Sequence, residues 1–143
     1  MARAAVLPPV LPLRPVMAAY AAYIALAVVL HAMAGPEGVW TAAAVLLVLM
    51  TVTYPVEALA RGEGLPGELA FAAGLSLVAL IGLAVQPLFI IAAIVAHGAL
   101  DIAKHRGLGV PFHPQYLFAC AGFDFAYGAA LLAYFIATSG GAV

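Results

Sequence analysis

Between residues 96 and 106 the chain reads AHGALDIAKHR, with His97, Asp101 and His105 four residues apart. Each step of four along a helix advances about 40°, so the three side chains share one stripe. Further on, Cys120 and Asp124 repeat the four-residue spacing. Imidazoles, carboxylates and a thiol in this pattern suit two kinds of chemistry. One is ligation of zinc or a divalent transition metal, because magnesium and calcium prefer all-oxygen sites. His97, Asp101, His105 and Asp124 are the candidate ligands. The other is proton exchange or catalysis on a small apolar substrate, with His97, Asp101 and Asp124 as the working groups. His-x3-Asp-x3-His is a less specific signal than His-Glu-x-x-His.

These residues must be held by apolar elements. Of 143 residues, 67% are hydrophobic and 8% charged, against roughly 25% charged in soluble domains. Five basic and six acidic side chains cannot cover the surface of a soluble domain of this size. The expected class is all-α, a single polytopic membrane domain over residues 1–143 whose first partner is the lipid bilayer. A net charge of −1 gives nucleic-acid binding no electrostatic support. The single cysteine excludes an internal disulfide. No phosphate-binding glycine loop, dinucleotide fingerprint or Cys-x-x-Cys pair is present.

Five membrane helices are expected, over about 16–34, 39–60, 68–85, 87–104 and 115–138. Residues 1–14 form a short proline-containing arm. Pro15 suits a helix first turn. Ala32-Met33-Ala34-Gly35 resembles a signal-peptide cleavage site, but the apolar run before it is nearer twenty residues than the usual 7–15, so helix 1 reads as uncleaved. Gly35-Pro36-Glu37-Gly38 reads as a tight turn and 61–67 as a polar loop. Pro55 should free the Thr51 carbonyl and kink helix 2. Gln86-Pro87 is too short for anything but an antiparallel hairpin of helices 3 and 4. Arg3 and Arg14 precede helix 1, Arg61 follows helix 2, and Lys104 and Arg106 follow helix 4, so all the basic residues fall on one side. The positive-inside rule then makes the N-terminus cytoplasmic, in a multi-pass protein of the bacterial inner membrane.

This topology gathers the polar groups. At about 1.5 Å per residue, Asp101 lies ~5 Å and His97 ~10 Å inside Lys104, while Cys120 lies ~8 Å and Asp124 ~14 Å into helix 5. Glu57, Cys120, Tyr127 and His113 are candidates to surround the centre. Each residue has a plainer reading. Asp101 pairs with Lys104 or His105 at the interface, His97 bonds across a helix contact, and Glu57 snorkels outward beside Arg61. His105 and His113 are solvated, Cys120 is a small packing residue, and Tyr20, Tyr23 and Tyr54 pack. Asp124 has no basic residue near it on its own helix; it is protonated or faces a partner such as His97.

Residues 80–137 resemble an uncharacterised family of small bacterial integral membrane proteins. Its members carry His-x3-Asp-x2-His-His at the end of a membrane helix, a Gly- and Pro-containing loop, and Cys-x3-Asp in the next helix. The matching positions are His97, Asp101, His105, Gly107, Pro111, Pro114, Cys120 and Asp124. Lys104 stands where the first of the paired histidines belongs, which weakens a metal site that uses both. The resemblance implies only that the helix 4–loop–helix 5 unit is the place to look. Two further functions fit the same residues: transport of a proton or small solute by a homo-oligomer, and service as a non-catalytic accessory subunit of a larger membrane complex.

Overall fold

The computed structural model describes residues 8–139, and Arg3 lies outside them. Five helical elements follow one another: α1 (Leu13–Met50), α2 (Thr53–Arg61), α3 (Leu65–Ala84), α4 (Leu88–His105) and α5 (Pro114–Thr138). Among the described residues, four helical stretches are long and apolar enough to cross a membrane: Leu13–Arg61, Leu65–Ala84, Leu88–His105 and Pro114–Thr138.

The first stretch holds 49 residues and corrects the expected boundaries of helices 1 and 2. The polar turn expected over 35–38 contracts to one residue. Gly35 alone leaves helical geometry, at φ 61° and ψ 179°, a conformation that glycine adopts without the strain of a Cβ. Pro36 then opens the next helical run, where its missing N–H costs nothing. Contacts with α5 show the course of the chain. Tyr20 donates to the Ala119 carbonyl (2.9 Å) and Thr53 bonds the Tyr116 hydroxyl (2.9 Å), both near the start of α5. His31 bonds Tyr127 and the Pro36 carbonyl accepts from Tyr134, towards the other end. Residues 13–34 and 36–61 therefore run in opposite directions along α5.

The break expected at Pro55 falls one turn earlier, at Thr51–Val52. Pro55 lacks the N–H that would reach Thr51, and its ring crowds that carbonyl. Thr51 turns its hydroxyl back onto the Val48 carbonyl (2.8 Å). The loop expected over 61–67 is only Gly62–Gly64, both ends in the left-handed region, and Pro66 sits in the first turn of α3. Helices α3 and α4 form the expected antiparallel hairpin. Gly82 meets Ile90 beside the turn, and Glu68 meets Lys104 at the open end.

Two apolar clusters bracket the polar centre. One joins Ala43, Leu47 and Met50 of α1 to Ala79 of α3, Ile90 and Ile94 of α4, and Leu131 of α5. The other joins Tyr54 and Ala58 of α2 to Phe112, Leu117 and Cys120. Between them α4 and α5 pack closely at Gly98, where an added Cβ would lie 3.0 Å from Asp124 Cβ, and at Gly128, where one would lie 2.8 Å from Val95. Small residues that let backbones approach are how helices associate where lipid removes the hydrophobic drive.

Candidate functional site

Within α4, His97, Asp101 and Lys104 are buried, and His105 is exposed. The stripe is thus 97–101–104, not 97–101–105. Seven residues bring a side chain back to within about 20° of the starting direction, whereas eight overshoot by about 80°. His105 lies instead against the ring of Phe118, 4.6 Å between centroids, and stands apart from the other candidate ligands.

His97 is the hub. Its Nδ1 lies 2.8 Å from Asp124 Oδ2 and 3.8 Å from Asp101 Oδ2. With Asp124 ionised the carboxylate accepts, so Nδ1 carries the proton. Asp101 accepts a hydrogen bond at Oδ1 from the Tyr54 hydroxyl. The Tyr54 ring also stacks on His97, with 6.1 Å between centroids and 27° between planes. One ligating atom from each of His97, Asp101 and Asp124 lies within 4.8 Å of the others. All three residues are at most 2% exposed. Three of their atoms are buried without a hydrogen-bond partner: His97 Nε2, Asp101 Oδ2 and Asp124 Oδ1. Unpaired polar atoms in a buried site cost about 1–3 kcal/mol each, and more when charged.

Lys104 does not neutralise this group. Its ammonium sits 2.6 Å from each oxygen of Glu68 and 4.3 Å above the Tyr54 ring. Glu68 Oε1 also accepts from the Val110 N–H (2.9 Å), so one carboxylate ties α3, α4 and the following loop together. The interface pairing of Asp101 with Lys104 or His105 is replaced by Tyr54 and His97.

The residues placed around the centre by sequence divide. Cys120 is buried and, with His97 and Asp124, lines a cavity of about 520 Å³. Glu57 does not snorkel: it is fully buried, accepting from the Val10 N–H (2.6 Å) and Leu11 N–H (2.9 Å), with Arg61 at 3.6 Å. His113 Nε2 donates to the Leu11 carbonyl (2.8 Å). Glu57 and His113 therefore both fasten residues 10–11. Tyr127 faces His31, whose Nδ1–H donates to Ala27 (3.0 Å) and whose Nε2 accepts the Tyr127 hydroxyl (3.0 Å).

Sequence reasoning read Tyr54 as a packing residue and passed over Glu68 and the inward turn of Lys104. The signal for Lys104 was present in its seven-residue spacing from His97. For Tyr54 and Glu68 none was, because both meet their partners only through the packing of separate helices.

Compared with protein-family models, curated proteins and solved structures, the chain matches none.

Proposed function

We propose that this chain is a membrane protein of the bacterial inner membrane that binds a divalent transition metal or zinc at His97, Asp101 and Asp124. The observation that carries the reading is three buried ligating groups with donor atoms within 4.8 Å and an unpartnered oxygen on each aspartate. Zinc ligands at about 2.0–2.2 Å place two donors roughly 3.4 Å apart in a tetrahedral site. The separations of His97 Nδ1 from the two carboxylates, 2.8 and 3.8 Å, bracket that value. An ion there replaces the Nδ1 proton. Tyr54 holds Asp101 through Oδ1 and leaves Oδ2 as the ligand, an outer hydrogen bond of the kind that orients metal-binding carboxylates. Charge favours the same reading. Two ionised aspartates and a neutral imidazole come to zero with one divalent cation, and in hydrocarbon an unbalanced charge is costly.

The proposed topology is five crossings with the N-terminus in the cytoplasm. The antiparallel course of 13–34 and 36–61 supports two crossings in the first stretch. Its 49 residues would span about 74 Å as one helix, more than twice the ~30 Å hydrocarbon core. Arg61 donates to the Pro8 carbonyl, which keeps it beside the N-terminal arm, and the positive-inside rule places that side in the cytoplasm. The resemblance of residues 80–137 to small bacterial membrane proteins covers the same α4–loop–α5 unit.

The test is metal analysis of detergent-purified protein after equilibration with zinc. Wild type is expected to retain one ion per chain, and His97→Ala and Asp124→Ala to retain none. Equal, negligible metal in all three removes the reading.

A further inference from the structure

The cavity beside the centre is almost wholly apolar, and its few polar groups are telling. Its walls come from the first part of α1, the Leu49–Val56 bend and α5, and His97 and Asp124 close one side. Tyr23 also lines it, and the Tyr23 hydroxyl is buried with no hydrogen-bond partner. His97 Nε2 and Asp124 Oδ1 are in the same condition. A cavity of about 520 Å³ falls in the range of roughly 300–1,000 Å³ typical of small-molecule sites. Three residues of the lining each carry a polar atom without a partner, which describes a ligand with one polar end and an apolar body.

The rim says where that ligand comes from. Leu26, Leu49, Val52 and Val56 line the cavity while remaining 39–49% exposed. They lie within the stretch apolar enough to cross a membrane, so the opening faces hydrocarbon. A molecule arriving through lipid carries no net charge at its polar end without a heavy penalty. An anionic end is also disfavoured by Asp124. The end group must both donate, to Asp124 Oδ1 or the His97 Nε2 lone pair, and accept, from the Tyr23 hydroxyl. A hydroxyl does both with one atom; a ketone or ester only accepts.

We infer that the cavity between α1, the Leu49–Val56 bend and α5 binds an uncharged, bilayer-dissolved aliphatic alcohol, its hydroxyl seated at Tyr23, His97 and Asp124. The inference extends the proposed metal centre by naming the class of molecule beside it. It needs the side chains of that centre, not the ion.

The experiment uses the full chain in phosphatidylcholine nanodiscs and a dodecanol analogue bearing a diazirine in its chain. Labelling is expected within 19–26, 49–56 and 116–124. Excess dodecanol should suppress it at least tenfold, and dodecane or dodecanoate at equal membrane concentration should not. Tyr23→Phe, which removes only the hydroxyl, should weaken dodecanol protection about fivefold. Ala22→Phe should fill the cavity and abolish labelling, and Ala19→Leu provides a second filling variant. Thermal unfolding in detergent reports whether each variant is folded. Equal protection by dodecane and dodecanol, or labelling spread evenly onto Leu77 and Leu80, overturns the inference. Zinc retention with no preference for the alcohol sinks this inference alone. Alcohol-specific labelling without zinc binding sinks the metal reading alone.

Discussion

Replacing Lys104 by methionine is the sharpest test of how charge is arranged in the bundle. The side chain is fully buried, and its ammonium lies 2.6 Å from both oxygens of Glu68, itself 2% exposed. Lys104→Met keeps the length and removes the charge. Glu68 then retains only the Val110 N–H and becomes an uncompensated buried carboxylate. Breaking a buried pair from one side costs about 3–5 kcal/mol. For a chain of this size that corresponds to a fall in Tm of roughly 10–15 °C. Adding Glu68→Gln removes the stranded charge yet keeps a carbonyl for Val110, so the double variant should recover most of the loss. The assay is thermal unfolding in detergent of wild type, Lys104→Met, Glu68→Gln and the double variant, read as a double-mutant cycle. A coupling of about 2–4 kcal/mol is expected. Additive effects, or a Lys104→Met variant as stable as wild type, would refute the claim that these two residues satisfy each other.

Three more predictions follow from contacts around the centre. Gly98→Ala places a Cβ 3.0 Å from Asp124 Cβ, 3.3 Å from Phe125 and 3.4 Å from the Ala121 carbonyl, and overpacking of that kind costs about 1–3 kcal/mol; Gly122→Ala, with nothing within 4 Å, should show no loss in the same unfolding assay. Tyr54→Phe removes the hydrogen bond to Asp101 and keeps the ring, so zinc affinity measured by chelator competition should fall about 10–100-fold with little change in Tm. Glu57→Gln replaces the carboxylate that accepts from Val10 and Leu11; faster hydrogen exchange at those two amides is expected, with zinc content unchanged.

What the sequence made legible was set by local rules. Apolar runs marked the helical stretches, and proline and glycine marked their interruptions. The interruptions were misplaced by a few residues because helix propagates as far as sterics allow: to Gly35 and directly on from Pro36, and up to Thr51 before Pro55. The meeting of His97 with Asp124 was legible because charge in an apolar helix needs a partner and helix 5 offered one at matching depth. The stripe on α4 was legible in kind but not in phase, since spacing alone does not say whether Lys104 or His105 continues it. Tyr54 and Glu68 were not legible at all. They come from α2 and α3, and their contacts with Asp101 and Lys104 of α4 depend on how three helices rotate against one another.

Comparing the buried acids separates structure from chemistry. Glu57 is answered by two backbone N–H groups and Arg61. Glu68 is answered by Lys104 and Val110. Each has as many donors as its lone pairs need to hold a charge in place, and each ties distant segments of chain together. Asp101 and Asp124 are different. They share one imidazole, Tyr54 adds a single hydroxyl, and each keeps a bare oxygen away from solvent. A bundle that pairs its other buried carboxylates this fully has donors to spend. Leaving two of them short costs stability, a deficit that the proposed cation would remove. That asymmetry, rather than the mere presence of histidine and aspartate, sets the α4–α5 centre apart from the scaffold around it.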